Sequence, residues 1–133
     1  TGVSVGNPHC VIFKQPGETW TREDLLTLGP VLEHHSLFPK RTNVQLAVPT
    51  GPKDIFILIW ERGAGETQAS GSSSCAAASA AVRLGLVKGP VTVKMPGGTL
   101  NIEVAQDFSL TMKGPVAEVA RGALSPSFVR GLK

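Results

Sequence analysis

Residues 61–86 read ERGAGETQASGSSSCAAASAAVRLGL, and this stretch decides the fold that the sequence predicts. A loop rich in glycine and serine runs through Cys75 into residues 76–81, of which five are alanine. A helix whose side chains are small all round can be approached closely from every direction, which is typical of a fully buried helix. Gly85 gives this helix a natural C-terminal stop. We therefore predict a central helix threaded through a curved sheet.

The sequence around this helix predicts β-strands. Residues 54–62, DIFILIWER, contain five consecutive apolar residues from Ile55 to Ile59, as expected for a central strand covered on both faces. Segments rich in Gly, Pro, Asn and Asp separate the other apolar stretches and predict turns. The further predicted strands are 3–5, 10–13, 42–48, 91–95, 99–104, 108–112 and 116–121.

A second helix, outside the sheet, is predicted between the early strands. Thr19 or Thr21 can cap it, and acidic residues in its first turn meet the positive end of the helix dipole. Leucines at positions 25, 28 and 32 give it one apolar stripe. It is expected to end near residues 34–35 unless Gly29-Pro30 breaks or kinks it. Strands and helices together predict an α+β fold.

Length and composition restrict the class of protein. A chain of 133 residues has the length of a single domain, so we expect residues 1–133 to close one hydrophobic core. With 41% hydrophobic and 17% charged residues it lies in the globular range, and no apolar run approaches a membrane-spanning length. The net charge of +3 comes from scattered basic residues, and there is no tyrosine to stack on bases. The sequence therefore predicts a soluble protein that binds neither membranes nor nucleic acid.

Cys10 and Cys75 are the two cysteines, and they have neither the spacing of a zinc site nor that of a disulfide framework. This pattern predicts no metal site and favours the reducing cytoplasm. The chain starts Thr1-Gly2-Val3, with neither an initiator methionine nor a signal peptide. We expect position 1 to be a boundary inside a longer protein.

The start of the alanine-rich helix is a candidate anion site. Helix N-termini present unpaired N–H groups and a partial positive charge, and Ser72, Ser73 and Ser74 add hydroxyls. The glycine spacing matches neither the phosphate-binding P-loop nor the GxGxxG dinucleotide fingerprint. A small carboxylate is therefore the better candidate ligand. The alternative is that the glycines only form a turn and the serines only cap the helix.

Four further residues are candidates for chemistry. Glu61 and Arg62 end a largely apolar strand, where charges either reach solvent or meet partners in a site, since unpaired burial is costly. His9, in a Gly-Asn-Pro-His turn, is a candidate acid, base or partner for a thiol, or else a structural residue. Cys75 is predicted in the first turn of the helix, where its thiol pKa is lowered unless it serves as a small buried side chain.

Four short blocks of sequence carry a family resemblance: VSVGNPHC at 3–10, RTNV at 41–44, WERGAGET at 60–67 and PGGTL at 96–100. They resemble, in the same order, the signatures of the C-terminal half of diaminopimelate epimerases. Any one block is weakly specific, whereas the ordered set is highly specific.

The resemblance implies a two-domain enzyme whose similar halves each wrap a curved, mostly antiparallel sheet around a central helix, with one outer helix in this half. The active site lies in the cleft between the halves. The N-terminal half is thus the expected partner missing from this chain, and a homodimer stays open. The family interconverts LL- and meso-diaminopimelate, a small amino acid of lysine and peptidoglycan synthesis, without pyridoxal phosphate, metal or other cofactor. One cysteine from each half acts: a thiolate removes the α-proton on one face and a thiol returns a proton on the other.

By motif, the resemblance also assigns roles to residues of this chain. His9 is similar to the histidine that supports the cysteine of the other half, and Glu61 to the glutamate beside the cysteine of this half. Arg62 is similar to the arginine that holds a substrate carboxylate. Ser70 stands where the family has its catalytic cysteine. The implied catalytic positions are Ser70, Glu61 and His9, and the implied substrate-binding residues are Asn7, Asn43, Arg62, Gly71 and Ser72.

Ser70 is the main departure from the family pattern. A serine hydroxyl is a far weaker acid than a thiol, so its alkoxide is hardly populated without an activating base. Three explanations stay open: an introduced Cys→Ser substitution, natural loss of two-base epimerisation, or a one-base reaction such as dehydration supported by the missing half. The chain alone is expected to be inactive, and the competing class is a non-catalytic domain that binds small carboxylates.

Overall fold

The computed structural model describes residues 1–132, which form one curved sheet of eight strands together with three helices. The strands are β1 (Gly2–Ser4), β2 (Pro8–Phe13), β3 (Asn43–Gly51), β4 (Asp54–Glu61), β5 (Gly65–Thr67), β6 (Val91–Met95), β7 (Gly98–Val104) and β8 (Leu110–Lys113). The helices are α1 (Arg22–Glu33), α2 (Gly71–Arg83) and α3 (Pro126–Gly131). The strand order is β1-β2-β3-β4-β6-β7-β8, with β5 paired to β4. The pairs β2–β3 and β4–β6 are parallel, and the other neighbouring pairs are antiparallel, which confirms the predicted α+β class with a mostly antiparallel sheet.

Helix α2 is the centre of the fold, as predicted from its alanines. Its five alanines between positions 76 and 81 are at most 2% exposed, and the helix contacts β1, β2, β3, β4, β6, β7 and β8. A methyl side chain on every face lets strands approach the helix axis from several directions at once. The helix ends where predicted, because Gly85 takes a φ of +71° and its N–H donates to the carbonyl of Val82 at 3.0 Å.

Strand β4 lies in the middle of the sheet and is covered on both faces, as its unbroken apolar run predicts. Ile55, Ile57 and Ile59 face α2 and are fully buried. The alternate residues Phe56 and Leu58, followed by the Trp60 ring, pack in a second cluster beneath α1. Full burial of each aliphatic side chain contributes roughly 1.5–3 kcal/mol.

Helix α1 begins at a capping box, in which the Thr21 side chain accepts from the backbone N–H of Asp24 and the Asp24 carboxylate accepts from that of Thr21. Gly29-Pro30 does not break the helix, which continues to Glu33. A Cβ atom at Gly29 would lie 2.6 Å from the ring of Trp60, so glycine is required here for close approach to β4.

The C-terminal part of the chain differs from the sequence prediction. Residues 116–121, predicted as a strand, lie outside any strand and are exposed, because their backbone pairs with no strand of the sheet. The short helix α3 was not predicted, although Ser125 caps it and Pro126 occupies its first position. Within residues 1–132, no helix has the length and apolar character needed to cross a membrane.

The substitution Gly29→Ala tests the close approach of α1 to β4. Alanine has the higher helix propensity by about 1 kcal/mol, so propensity alone predicts a gain in stability. Because the added methyl collides with Trp60, we expect a net loss of about 1–2 kcal/mol in the free energy of unfolding measured in urea. The exposed control Thr27→Ala should instead gain a few tenths of a kcal/mol. A more stable Gly29→Ala chain would contradict this packing.

Candidate functional site

The strand directions bring polar residues from four elements to one edge of the sheet. Strands β2 and β3 are parallel and start at this edge, with His9 paired to Asn43. Strand β4 runs antiparallel to β3 and therefore ends there, at Glu61. Helix α2 also starts there, since the Gln45 side chain reaches it and donates from Nε2 to Oγ of Ser73 at 3.0 Å. Side-chain alternation places these strand residues on the face that packs against α2.

Asn43 connects two segments at this edge through hydrogen bonds of its side-chain amide. The group is buried, donates from Nδ2 to the carbonyl of Pro8 at 3.0 Å, and accepts at Oδ1 from the backbone N–H of Arg62 at 2.9 Å. It thereby connects the first residue of β2 to the turn after β4. Both halves of the amide are used within the chain, so a contact between Asn43 and a substrate stays a prediction.

The imidazole of His9 is almost fully buried, with 1% of the residue exposed. Asn7, two residues earlier, is half-buried and lies at the solvent-facing rim of this edge. Nε2 of His9 lies 3.0 Å from Oδ1 of Asn7. Burial lowers the pKa of His9 and is the largest effect; the Gln45 amide and then the Glu61 carboxylate act in the opposite direction, and the charge of Arg62 adds the smallest effect, a further lowering. A histidine whose pKa lies below its ordinary value of 6.5 is neutral at pH 7, so it can accept a proton.

Ser70 is the N-cap of α2. Its Oγ accepts from the backbone N–H of Ser73 at 3.4 Å and lies 3.5 Å from Oγ of Ser72, while its carbonyl accepts from the hydroxyl of Ser74 at 2.8 Å. The first turn carries no acidic side chain, so the positive end of the helix dipole is not neutralised from within the helix. The first N–H groups of a helix have no partner inside it, and those of Gly71 and Ser72 belong to this set.

A cleft of about 300 Å³ opens beside this helix start. One wall is Ala69-Ser70-Gly71 and the other is the β6–β7 turn at residues 97–99, joined by a bond from the N–H of Gly97 to the carbonyl of Gln68 at 2.7 Å. A Cβ atom at Gly71 would lie 2.9 Å from the sulfur of Met112, an exposed side chain on β8. The PGGTL block is thus brought to the helix start.

Glu61 and Arg62 occupy different environments at the end of β4. Glu61 is half-buried on the inner face, whereas Arg62 is exposed in the following turn and donates from Nη1 to the carbonyl of Lys40 at 3.1 Å. The charges of both side chains act on His9. The predicted residues therefore form two adjoining groups at one edge: Asn7, His9, Asn43, Glu61 and Arg62 in one, and Ser70, Gly71 and Ser72 in the other.

Glu33 supports the site from α1 and was not predicted. It is 4% exposed, and its carboxylate accepts from Nε1 of Trp60 at 2.8 Å and from the backbone N–H of Gly63 at 2.9 Å. Nη1 of Arg41 lies 3.6 Å from Oε1 of Glu33. These contacts, with the bond from Trp60 the largest, hold the pKa of Glu33 below its ordinary value. In the sequence, the only indication of this role was that Glu33 directly follows the leucine stripe of α1.

The position of Cys75 corrects the sequence prediction. Helix α2 starts at Gly71, so Cys75 lies in its second turn, and burial raises the pKa of its thiol instead of lowering it. Burial also raises the pKa of Cys10. Within residues 1–132, no three His, Cys, Asp or Glu side chains gather into a metal site.

The sequence matches one known family across most of its length. Residues 1–119 match the diaminopimelate epimerase family. The diaminopimelate epimerase of Rhodospirillum centenum is 47% identical over 129 residues, which cover 97% of this chain and 43% of that protein. The enzyme of Desulfitobacterium hafniense is 45% identical over 124 residues, 93% of this chain and 43% of that protein. The chain therefore spans less than half the length of these curated relatives.

Two solved structures with a similar fold are more distant in sequence. A phenazine biosynthesis protein of the PhzF family from Bacillus anthracis superposes with a TM-score of 0.57 at 16% identity, over 80% of this chain and 34% of that chain. A related structure from Clostridium difficile gives a TM-score of 0.58 at 15% identity, over 76% of this chain and 35% of that one. At this identity the likeness shows the fold alone.

The substitution Glu33→Gln tests the support of the Glu61–Gly63 turn. The amide keeps the shape but replaces one acceptor by a donor, so at pH 7 we expect a loss of about 2 kcal/mol in the free energy of unfolding. Because the folded pKa of Glu33 lies below the ordinary 4.5, its contribution is fully present above that pH and is lost as the pH falls through the folded pKa. The two proteins should therefore converge in stability below pH 4.5 in urea titrations. A gap that is independent of pH would contradict the charged role of Glu33.

Proposed function

The chain belongs to the diaminopimelate epimerase family, and we propose that it is the C-terminal half of a cofactor-independent amino-acid epimerase. The proposed substrate is diaminopimelate, interconverted between its LL and meso forms in the cytoplasm. The missing N-terminal half would close the cleft and supply the second acid–base group. The proposal concerns the two-domain protein, because this chain covers only about two fifths of its relatives.

One observation carries the proposal: Ser70, to which the family resemblance assigns the place of the catalytic cysteine, is the N-cap of the central helix. A group at this point lies beside the unpaired N–H groups of Gly71 and Ser72. A substrate α-carboxylate bound to those groups would place its Cα next to the side chain of residue 70. The helix start would also stabilise the negative charge that develops when the α-proton leaves, which is the largest contribution in many such reactions.

The charged groups at the end of β4 support a substrate with a second polar end. Arg62 is exposed and available for a distal carboxylate once its bond to the carbonyl of Lys40 is exchanged. Neutral His9, with Asn7 beside it, lies on the side of the edge that would face the N-terminal half. In that position His9 can accept a proton from a thiol of the other half and so help to form its thiolate.

Ser70 favours a second candidate function for the chain as it stands. Its hydroxyl caps the helix but is too weak an acid to replace a thiol in proton transfer. A domain that keeps the helix start and Arg62 while lacking the thiol would bind small carboxylates without epimerising them. A single base in the N-terminal half would permit only a one-base reaction such as dehydration.

The substitution Ser70→Cys tests whether the helix start activates a group at this position. A thiol at the N-cap receives the N–H of Ser73 and the positive end of the dipole, so its pKa should lie below that of Cys75, which burial raises. Alkylation by iodoacetamide at pH 7.5, followed by peptide mass analysis, should modify residue 70 before Cys75 and Cys10. Faster modification of Cys75 would contradict the proposed activation.

The substitution Ser70→Cys also tests the proposed epimerisation. In the two-domain protein we expect Ser70→Cys to epimerise diaminopimelate about a thousandfold faster than the serine protein, the scale of one general acid–base group. Ser72→Cys, which places a thiol on the exposed neighbouring hydroxyl position, is the matched control and should not restore the rate. Equal rates for the serine and Ser70→Cys proteins would refute the role of residue 70. Binding of diaminopimelate by calorimetry, without epimerisation or deuterium exchange at Cα in either protein, would favour the carboxylate-binding function.

A further inference from the structure

Two buried polar atoms at this edge lack partners. Three buried side-chain nitrogen or oxygen atoms among residues 1–132 make no hydrogen bond: Nδ1 of His9, Oε1 of Gln45 and Oγ1 of Thr67. Gln45 is 0% exposed and His9 1%. Leaving a buried polar atom without a partner costs about 1–3 kcal/mol, so two such atoms in one small region require an explanation.

The sheet register makes His9 and Gln45 neighbours. His9 pairs with Asn43, and Val11 pairs with Gln45, so both side chains lie on the face toward α2 and one diagonal step apart. Gln45 donates from Nε2 to Oγ of Ser73, which leaves Oε1 as the end of its amide that is available to the imidazole. The Gln45 amide also raises the pKa of His9, as an oxygen acceptor near the ring does.

We propose that Gln45 is a positioning residue, which accepts the Nδ1 proton of His9 while it donates to Ser73 in the first turn of α2. His9 is then held as the neutral Nδ1–H tautomer, and its Nε2 lone pair faces Asn7 at the rim. Half-buried Asn7 accommodates this by turning its amide so that Nδ2 donates to Nε2, a change of orientation that leaves the heavy-atom positions almost unchanged. Gln45 is fully buried, whereas Asn7 is only half-buried.

This arrangement adds a residue to the proposed function. Its consequence for catalysis rests on that function. The imidazole nitrogen that keeps a lone pair is Nε2, turned toward the rim, and it can receive a proton from the other half of the enzyme once its bond from Asn7 is exchanged. The same amide fixes the first turn of α2, which carries the groups proposed for the α-carboxylate. Gln45 would thus set the tautomer of His9 and the position of the helix start together.

The charged groups that act on His9 are Glu61 at the end of β4 and Arg62 in the following turn. Strand β1, strand β3 and the first turn of α2 contain no titratable side chain. A change in His9 on substitution of Gln45 therefore reports the amide and not a displaced charge from these elements.

The test measures the tautomer directly by long-range 1H–15N correlation on the full 133-residue chain labelled with 15N-histidine. At pH 7 we expect His9 to show Nδ1 protonated and Nε2 unprotonated. Gln45→Met keeps the length of the side chain but removes the acceptor, and should lower the ratio of the Nδ1–H to the Nε2–H tautomer at least about fivefold, the effect of one net hydrogen bond. His34 and His35, exposed at the end of α1, serve as internal references.

The variant Gln45→Glu distinguishes loss of the hydrogen-bond acceptor from a general effect of substitution on folding. Its carboxylate still accepts from Nδ1, so the Nδ1–H tautomer should be retained and the pKa of His9 should rise above that in the parent chain. An Nε2–H tautomer in the parent chain, or an unchanged ratio in a folded Gln45→Met chain, would overturn the proposal. Neither result depends on turnover, so failure here is distinguishable from failure of the epimerase assignment, which the Ser70→Cys rates decide.

Discussion

Close packing of a curved sheet around a helix of small residues is the constraint on which this structure depends. The five alanines of α2 are at most 2% exposed and face seven strands, so a larger side chain at any of them would push a strand outward. The helix cannot move along its axis without losing these contacts. Its N-terminus is therefore fixed relative to the sheet edge, and a fixed helix start is what an electrostatic site requires.

The parallel pair β2–β3 and the antiparallel pair β3–β4 determine which residues meet at that helix start. Because β2 and β3 are parallel and β4 returns antiparallel, the beginnings of two strands and the end of a third share one edge. Burial of polar side chains is less costly there than in the middle of the sheet, since groups from neighbouring segments can form hydrogen bonds with them. Asn43 joins two of these segments, Glu33 holds the turn after β4, and Gln45 connects β3 to α2.

Ser70 matters to the architecture of the site, because serine is a strong helix N-cap and holds the start of α2. In the proposed function its position is that of a catalytic thiol, the group whose pKa a helix terminus can lower. The sequence agrees with the diaminopimelate epimerase family, whereas proton transfer by a group at position 70 stays a prediction.

The sequence by itself determined the central helix and its stop at Gly85, the doubly covered strand β4, the N-cap region of α1 and the family, because each is a local or ordered pattern. It did not determine the α3 helix or the absence of a strand at 116–121, since strand formation depends on actual pairing with a neighbour as well as on residue type. Only the tertiary structure decided the roles of Glu33 and Gln45 and the raised pKa of Cys75. These depend on which groups from distant segments surround a side chain, and a polar residue in an apolar stretch does not show in sequence where its partner lies.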